Sequence, residues 1–244
     1  MTEQRVAGRQ LIFICGGRGT RLRGADGGGL PKSLTDIGGE PIARRLIRQH
    51  LHLHTAGPGP IVIVAQGDDL TPKVVRETLG SRAIIVEQEK PDGVANAILL
   101  AAPHLVANAL VFLGDIVLAG TYSQPLPEQS AVCIWREATP ETTAENFGVV
   151  LKDGAVAEMI EKPTDTKGLL CGIGVYALTR EAIALFASSP INPVKGEREI
   201  TEALRHLVRH RVPLGAFEFS GLYININRVA DKARADALLR SIPR

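Results

Sequence analysis

The stretch Leu11–Lys32, LIFICGGRGTRLRGADGGGLPK, constrains this chain more than any other. Its five opening apolar residues, Leu11 to Cys15, read as a parallel strand buried on both faces, where no polar alternation is needed. The strand then breaks into glycines, at positions where side chains would hold a ligand's phosphates away from the backbone. Gly16, Gly17 and Gly19 can turn amide N–H groups toward an anion, Thr20 adds a hydroxyl, and Arg21 and Lys32 bring positive charge to the same place. The pattern describes a phosphate loop on a strand end, with a polyphosphate as its cargo.

Two better-known glycine loops fail on spacing. The dinucleotide fingerprint G-x-G-x-x-G beginning at Gly17 would need a third glycine where Leu22 stands. The Gly-Lys-Ser/Thr phosphate loop is excluded because Pro31 precedes Lys32-Ser33 and removes an amide donor. The pattern that fits is G-G-x-G-T-R-L, here Gly16-Gly17-Arg18-Gly19-Thr20-Arg21-Leu22, followed by P-K-x-L at Pro31-Lys32-Ser33-Leu34. It resembles the signature of the sugar-1-phosphate nucleotidylyltransferases.

Composition narrows the class from another side. A chain of 244 residues can bury roughly 70–75% of its unfolded surface, which suits one enzyme-sized domain. A net charge of +2 suggests no electrostatic grip on nucleic acid or an anionic membrane. Cys15, Cys133 and Cys171 lie far apart in apolar runs without C-x-x-C spacing, as expected of reduced, buried thiols. With no apolar stretch of membrane-spanning length and no apolar core in MTEQRVAGRQ, a soluble cytoplasmic protein is expected.

Strands are predicted over Leu11–Cys15, Ile61–Ala65, Ala83–Glu87 and Leu110–Leu113, alternating with helices from about Pro41, over Leu70–Leu79 and over Gly93–Val106. Such alternation predicts a parallel sheet covered on both faces, with ligands beyond the carboxyl ends of the strands. Further on, strands are expected at Ala131–Arg136, Phe147–Leu151, Leu169–Leu178, Leu214–Phe219 and Tyr223–Asn227. A hairpin turns at Lys152-Asp153-Gly154, and helices fall near 180–187, 198–210 and 229–239. Tyr122–Gln129 reads as a joint. The expected fold is α/β and Rossmann-like, a mostly parallel mixed sheet with helices on both faces and a smaller sugar-binding lobe. Residues 1–244 form one domain, with about 1–120 as the nucleotide half and about 121–244 as the sugar-phosphate half. His50, His52, His54, His206 and His210 lack carboxylate or thiolate partners at metal spacing and read as solvated helix ends or subunit contacts.

The resemblance extends through later motifs. Gln88 can donate and accept at once, matching the carbonyl and imide N–H of uracil or thymine, and Gly93 admits backbone to a flat base. Gln88-Glu89-Lys90-Pro91-Asp92-Gly93-Val94-Ala95-Asn96-Ala97 resembles the family's Q-x-x-P-D-G-L-A-Q-A element, which implies that Gln88, Pro91 and Gly93 bind the nucleotide. Asp115, after Phe112-Leu113-Gly114, matches the Gly-Asp step that holds Mg²⁺. Asn146-Phe147-Gly148-Val149 is similar to a sugar-lining strand, and Glu161-Lys162-Pro163 to an E-K-P element whose acid meets sugar hydroxyls and whose lysine meets the sugar phosphate. Gly174 falls in a second sugar-lining strand. Gly196-Glu197-Arg198-Glu199-Ile200-Thr201 resembles G-E-x-E-I-T, with the role of Glu199 open.

One departure stands near the end. Where many relatives carry W-x-D, this chain has Tyr223-Ile224-Asn225-Ile226-Asn227; the resemblance implies Asn225 as second Mg²⁺ ligand, with Asn227 the alternative. An amide oxygen still coordinates a hard cation but lacks the charge. The implied activity transfers a nucleotidyl group from an NTP, dTTP or UTP favoured, to a sugar-1-phosphate or sugar-like phosphate, with Arg21, Lys32 and Lys162 as catalytic groups. GTP or CTP use, or a nucleotide-sugar sensor without turnover, are the alternatives. Oligomeric state, a homo-oligomer included, and the role of the Gly24–Gly29 insert stay open.

Overall fold

A computed structural model of the chain describes residues 8–17 and 30–241. The first half is the expected α/β unit. Strands β1 (Arg9–Ile14), β2 (Ile61–Ala65), β3 (Ile84–Gln88) and β4 (Asn108–Leu113) pair in parallel in the order β3-β2-β1-β4. Helices α1 (Ile42–His50), α2 (Leu70–Leu79) and α3 (Val94–Ala101) make the crossovers. The continuous apolar composition of β1 has a direct cause. Leu11 and Phe13 enter one core cluster while Ile12 and Ile14 enter the other, so both faces of the strand are covered. Burial of each of these side chains contributes about 1.5–3 kcal/mol.

The second half extends the same sheet with mixed polarity. β9 (Leu170–Leu178) runs antiparallel to β4, and β6 (Ala131–Trp135) runs antiparallel to β9. β10 (Gly215–Asn225) lies parallel to β6, and the hairpin of β7 (Phe147–Lys152) and β8 (Ala155–Glu161) completes the order β3-β2-β1-β4-β9-β6-β10-β8-β7. β5 (Ile116–Tyr122) branches off as an antiparallel partner of β10, giving a ten-stranded sheet among the described residues. Helices α4 (Pro140–Glu145), α5 (Arg180–Leu185), α6 (Ile200–Arg209) and α7 (Val229–Ser241) complete the elements. Core residues of α1, α2 and α7 share one cluster and those of α3, α5 and α6 the other, so helices cover both faces.

Local chemistry explains most boundaries. Thr179 caps α5 by accepting from the Ala182 amide, and Thr139 caps α4 from Thr142, with Pro140 in its first turn. Asp153 and Gly154 both take positive φ, 53° and 80°, as the tight hairpin between β7 and β8 requires. Three differences from the sequence reading have physical causes. The two strands expected over 214–219 and 223–227 are one strand, β10: Ser220-Gly221 reads as a break, but Gly221, at φ 126°, keeps pairing with Gly120 of β5. β5 itself falls where no element was expected and meets the expected joint only at Tyr122, because its partner is a hundred residues away. The buried histidines are core groups. His50 Nδ1 lies 2.8 Å from the Leu46 carbonyl and its Nε2 meets the Tyr122 hydroxyl at 2.9 Å. His206 Nε2 likewise lies 2.9 Å from Ser188 Oγ. Among the described residues no helix is long and apolar enough to cross a membrane.

Candidate active site

The carboxyl edge of β1 and β4 brings the phosphate-loop residues to the Gly-Asp step. Gly17 accepts the Lys32 amide at 3.0 Å, which ties the Pro31-Lys32 element back to the glycines despite the intervening insert. Gly114 donates to the Ile14 carbonyl at 2.8 Å, and a Cβ there would lie 2.5 Å from that oxygen, so only glycine lets the β4 end pass so close to β1. The consequence is the central contact of the site: Lys32 Nζ lies 2.6 Å from Asp115 Oδ2 and 2.8 Å from Asn227 Oδ1. Lys32 and Asp115 are partly buried, so solvent screens the pair less than a surface one. Asn227 is held in turn, its amide and that of Arg228 both donating to Asp231 Oδ2.

A cleft of about 110 Å³ opens over this group, walled by Cys15, Gly17, Lys32, Leu113, Gly114 and Asp115 among others. Burial pushes the Cys15 thiol up to about 12, against a lowering hydrogen bond with Ser33, so it stays protonated and takes no nucleophilic part. Two oxygens at this edge, Asp115 Oδ1 and Asn225 Oδ1, are buried with no hydrogen-bond partner among the described residues. Asn225 pairs with Ile116, next to Asp115, across β5 and β10. Buried acceptors without partners are costly, and both are hard oxygen donors of the kind Mg²⁺ takes. These residues therefore fit a divalent cation, with Asn225 rather than Asn227 carrying the uncommitted oxygen. Among the described residues no three His, Cys, Asp or Glu side chains gather at metal distance, so a cation here would lean on substrate phosphate oxygens.

The loop expected to read the base follows β3. Gln88, largely buried, donates from Nε2 to Asp92 Oδ1 at 2.8 Å, and its Oε1 lies against Gly16, where a Cβ would approach within 3.1 Å. Glycine loop and Gln88 thus touch with no side chain between them. Pro91 is exposed, and Gly93 takes φ 109° at the start of α3.

Among the residues expected to meet the sugar, Thr201 Oγ1 donates to Glu161 Oε2 at 2.6 Å and fixes that carboxylate. Lys162 has φ 45°, a left-handed conformation that is strained for a residue with a long side chain and doubly so before Pro163; its amide bonds to the Asn146 carbonyl at 2.9 Å. The Asn146 carboxamide accepts from the Tyr223 hydroxyl at 2.7 Å and donates to the Thr142 carbonyl at 2.8 Å, leaving one N–H uncommitted. The space beside Gly148 is filled by Leu169, and that beside Gly174 by Leu113 on the cleft wall. Lys195 and Glu199 form a pair at 2.6 Å that raises the lysine and lowers the carboxyl, chiefly through their hydrogen bond, with Lys162 and Glu161 adding weaker influence from nearby. Gly19, Thr20, Arg21 and the Gly24–Gly29 insert lie outside the described residues. Sequence reasoning missed Thr201, Tyr223, Lys195 and Arg198 as site supports. The G-E-x-E-I-T resemblance was the one signal that reached two of them, Arg198 and Thr201.

A glycine turn, a lysine and a carboxylate at the carboxyl edge of a Rossmann-like sheet define an α/β protein that handles phosphate groups. The chain belongs to the nucleotidyl transferase family, which it matches over residues 10–224. It is 29% identical over 231 residues to bifunctional protein GlmU of Methanocaldococcus jannaschii, covering 93% of this chain and 53% of that protein. It is 25% identical over 244 residues to UTP–glucose-1-phosphate uridylyltransferase AglF of Haloferax volcanii, covering 95% of this chain and 96% of that one. The chain therefore spans about half the length of the GlmU relative and nearly all of AglF. Its fold is shared with the inositol-1-phosphate CTP transferase of T. maritima at a TM-score of 0.78 and 18% identity, over 98% of this chain and 99% of that one.

Proposed function

We propose that this chain transfers the nucleotidyl group of an NTP, UTP or dTTP in preference, to a sugar-1-phosphate or sugar-like phosphate and releases pyrophosphate. One observation carries the reading: Lys32, Asp115 and Asn227 meet at the carboxyl edge beside Gly16 and Gly17, with two orphaned buried oxygens at the same place. In the reaction a phosphate oxygen of the sugar-1-phosphate forms a bond to the α-phosphorus while the bond from that phosphorus to the pyrophosphate oxygen breaks. Lys32 leaves Asp115 for the α-phosphate and steadies its charge. Lys162, on its strained backbone, aims the acceptor phosphate, and Glu161, held by Thr201, receives sugar hydroxyls. Asp115 and Asn225 would hold Mg²⁺, which when bound supplies charge neutralisation across the phosphates. Arg21 is assigned to the departing pyrophosphate from its place in the motif. For the base, the Gln88 amide offers paired donor and acceptor once Asp92 releases its N–H.

A second reading, a sensor that binds nucleotide-sugar without turnover, is favoured by the amide of Asn225 in place of a carboxylate. The deciding experiment measures pyrophosphate release with each NTP and dNTP and Mg²⁺ against a panel of sugar-1-phosphates and inositol-1-phosphate. Release that requires both partners is expected, and the preferred NTP separates UTP or dTTP from CTP and GTP. Nucleotide-sugar binding with no release across the panel would replace the transferase reading by the sensor.

A further inference from the structure

The base-side loop 88–96 and the segment 189–201 that leads to Thr201 are joined through one residue. The Arg198 amide donates to the Asp92 carbonyl at 2.7 Å, and the Arg198 carbonyl accepts the Ala95 amide at 3.1 Å. Its guanidinium donates from Nε to Asn96 Oδ1 at 2.9 Å and from Nη1 to the Ser189 carbonyl. These bonds replace something the base loop lacks. No side chain caps α3, and the orphan Ala95 N–H of its first turn is satisfied from the other segment. Asp92 is also the residue that holds the Gln88 amide, and Asn96 Nδ2 returns to the Asp92 carbonyl at 3.2 Å. On the far side of Arg198, three residues on, Thr201 holds Glu161. Short contacts therefore run from Gln88 through Asp92 to Arg198, and three residues of chain carry the link on to Thr201 and its bond to Glu161.

We infer that Arg198 is a positioning residue that clamps the base-side loop to the sugar-side segment, so that nucleotide and acceptor are gripped by one unit. The inference rests on the transferase reading above. Arginine suits the task because its planar fork donates to two loops at once, which a lysine ammonium cannot do with the same geometry. Loss of the guanidinium bonds loosens the base-side loop at Asn96 and the other segment at Ser189, while the backbone bonds of residue 198 remain. Both substrates then bind less well and base selection weakens, while the groups at the reacting phosphorus, Lys32 and Asp115, stay where they are.

The test compares Arg198→Ala, Arg198→Lys and Asn96→Ala, with the double variant Asn96→Ala/Arg198→Ala, using the substrate pair found in the panel. KM for the NTP and for the sugar phosphate should each rise about tenfold in Arg198→Ala, as expected for loss of a charge-assisted hydrogen bond, with kcat changed far less. The preference for the correct NTP over the other pyrimidine NTP should fall, and the loss in the double variant should be smaller than the sum of the two single losses because the side chains share the Nε–Oδ1 bond. Arg198→Lys should not restore base preference. Unchanged KM values and base preference, with only a lower melting temperature, would show a fold tie and overturn the clamp. Asn96→Ala leaves both backbone bonds intact, so it decides the matter if Arg198→Ala does not fold. Should the wild-type protein release no pyrophosphate, the transferase reading fails separately. The clamp is then read from UDP-glucose affinity, which must weaken in Asn96→Ala, equal affinity overturning it.

Discussion

Replacing Gly93 by alanine would place a methyl group where none fits. The residue sits at φ 109° and ψ 160°, a region open almost only to glycine, where a side chain costs about 1–3 kcal/mol. The new Cβ would also stand 2.3 Å from the Arg198 carbonyl oxygen, backbone that cannot swing aside as a side chain would. Arg198 must retreat, and the Asp92–Arg198 and Ala95–Arg198 backbone bonds at 2.7 and 3.1 Å go with it, at about 1 kcal/mol each. Together these effects come to about 3–5 kcal/mol. For a chain of this size that lowers the melting midpoint by about 6–20 °C. Thermal unfolding followed by far-UV circular dichroism, with urea midpoints as a check, measures it, and turnover per folded Gly93→Ala molecule should drop below that of wild type as Gln88 loses its support. A Gly93→Ala protein within about 0.5 kcal/mol of wild type, the size of an ordinary surface substitution, would refute the claim that this glycine is required by backbone and by Arg198.

Lys32→Ala and Asp115→Ala should each lower turnover by about 10²–10³ with circular dichroism unchanged, the scale of a lost charge-stabilising group; near-normal rates in both would remove the site assignment. Lys162→Gly relieves the φ 45° strain, so stability should hold within about 1 kcal/mol of wild type while turnover falls, and an active Lys162→Gly enzyme would deny the lysine its role. Asn225→Asp should tighten Mn²⁺ binding at least about tenfold by calorimetry, since a carboxylate adds a unit charge at the orphaned position, and unchanged binding would move the ligand elsewhere. Burial pushes the His50 imidazole down to about 4 from 6.5, opposed by its bond to the Leu46 carbonyl. The unfolded chain takes up this proton below about 6.5 and the native chain only near 4, so stability is full above that window and falls by about 3 kcal/mol as pH drops through it. Urea unfolding at pH 7 and pH 4 should show a smaller loss for His50→Gln than for wild type; equal losses would refute it.

Much of the frame was legible because local composition and topology agree there. β2 spans Ile61–Ala65 and α2 Leu70–Leu79 as their apolar spacing predicts, and the Asp-Gly turn marks the β7–β8 hairpin. β5 was not legible, since Ile116–Tyr122 becomes a strand only through register with residues 219–225, a pairing no local pattern announces. At the site, Lys32 and Asp115 stand in recognisable motifs, and their contact follows from two strand ends meeting. The supports do not: Thr201–Glu161 and Tyr223–Asn146 join residues 40 and 77 positions apart, and each looks like an ordinary polar residue until the sheet brings it home. Arg198 occupies the variable position of its motif, so only its three-sided contacts reveal it.

The sheet runs without interruption from β3 beside Gln88, through β4 beside Asp115, to β7 beside Asn146. On the proposed function its hydrogen-bond lattice acts as a rigid caliper, with one jaw for the base and the other for the sugar. Adjustment between jaws is left to side chains and short connections, because the paired strands keep their register apart from local shifts at Val132/Ile134 and Val150/Leu151. A change of acceptor should accordingly be achieved by exchanging residues on the sugar-side loops alone, with the strand registers and the base-side jaw untouched. An acceptor longer than the fixed span would protrude into solvent rather than pry the halves apart.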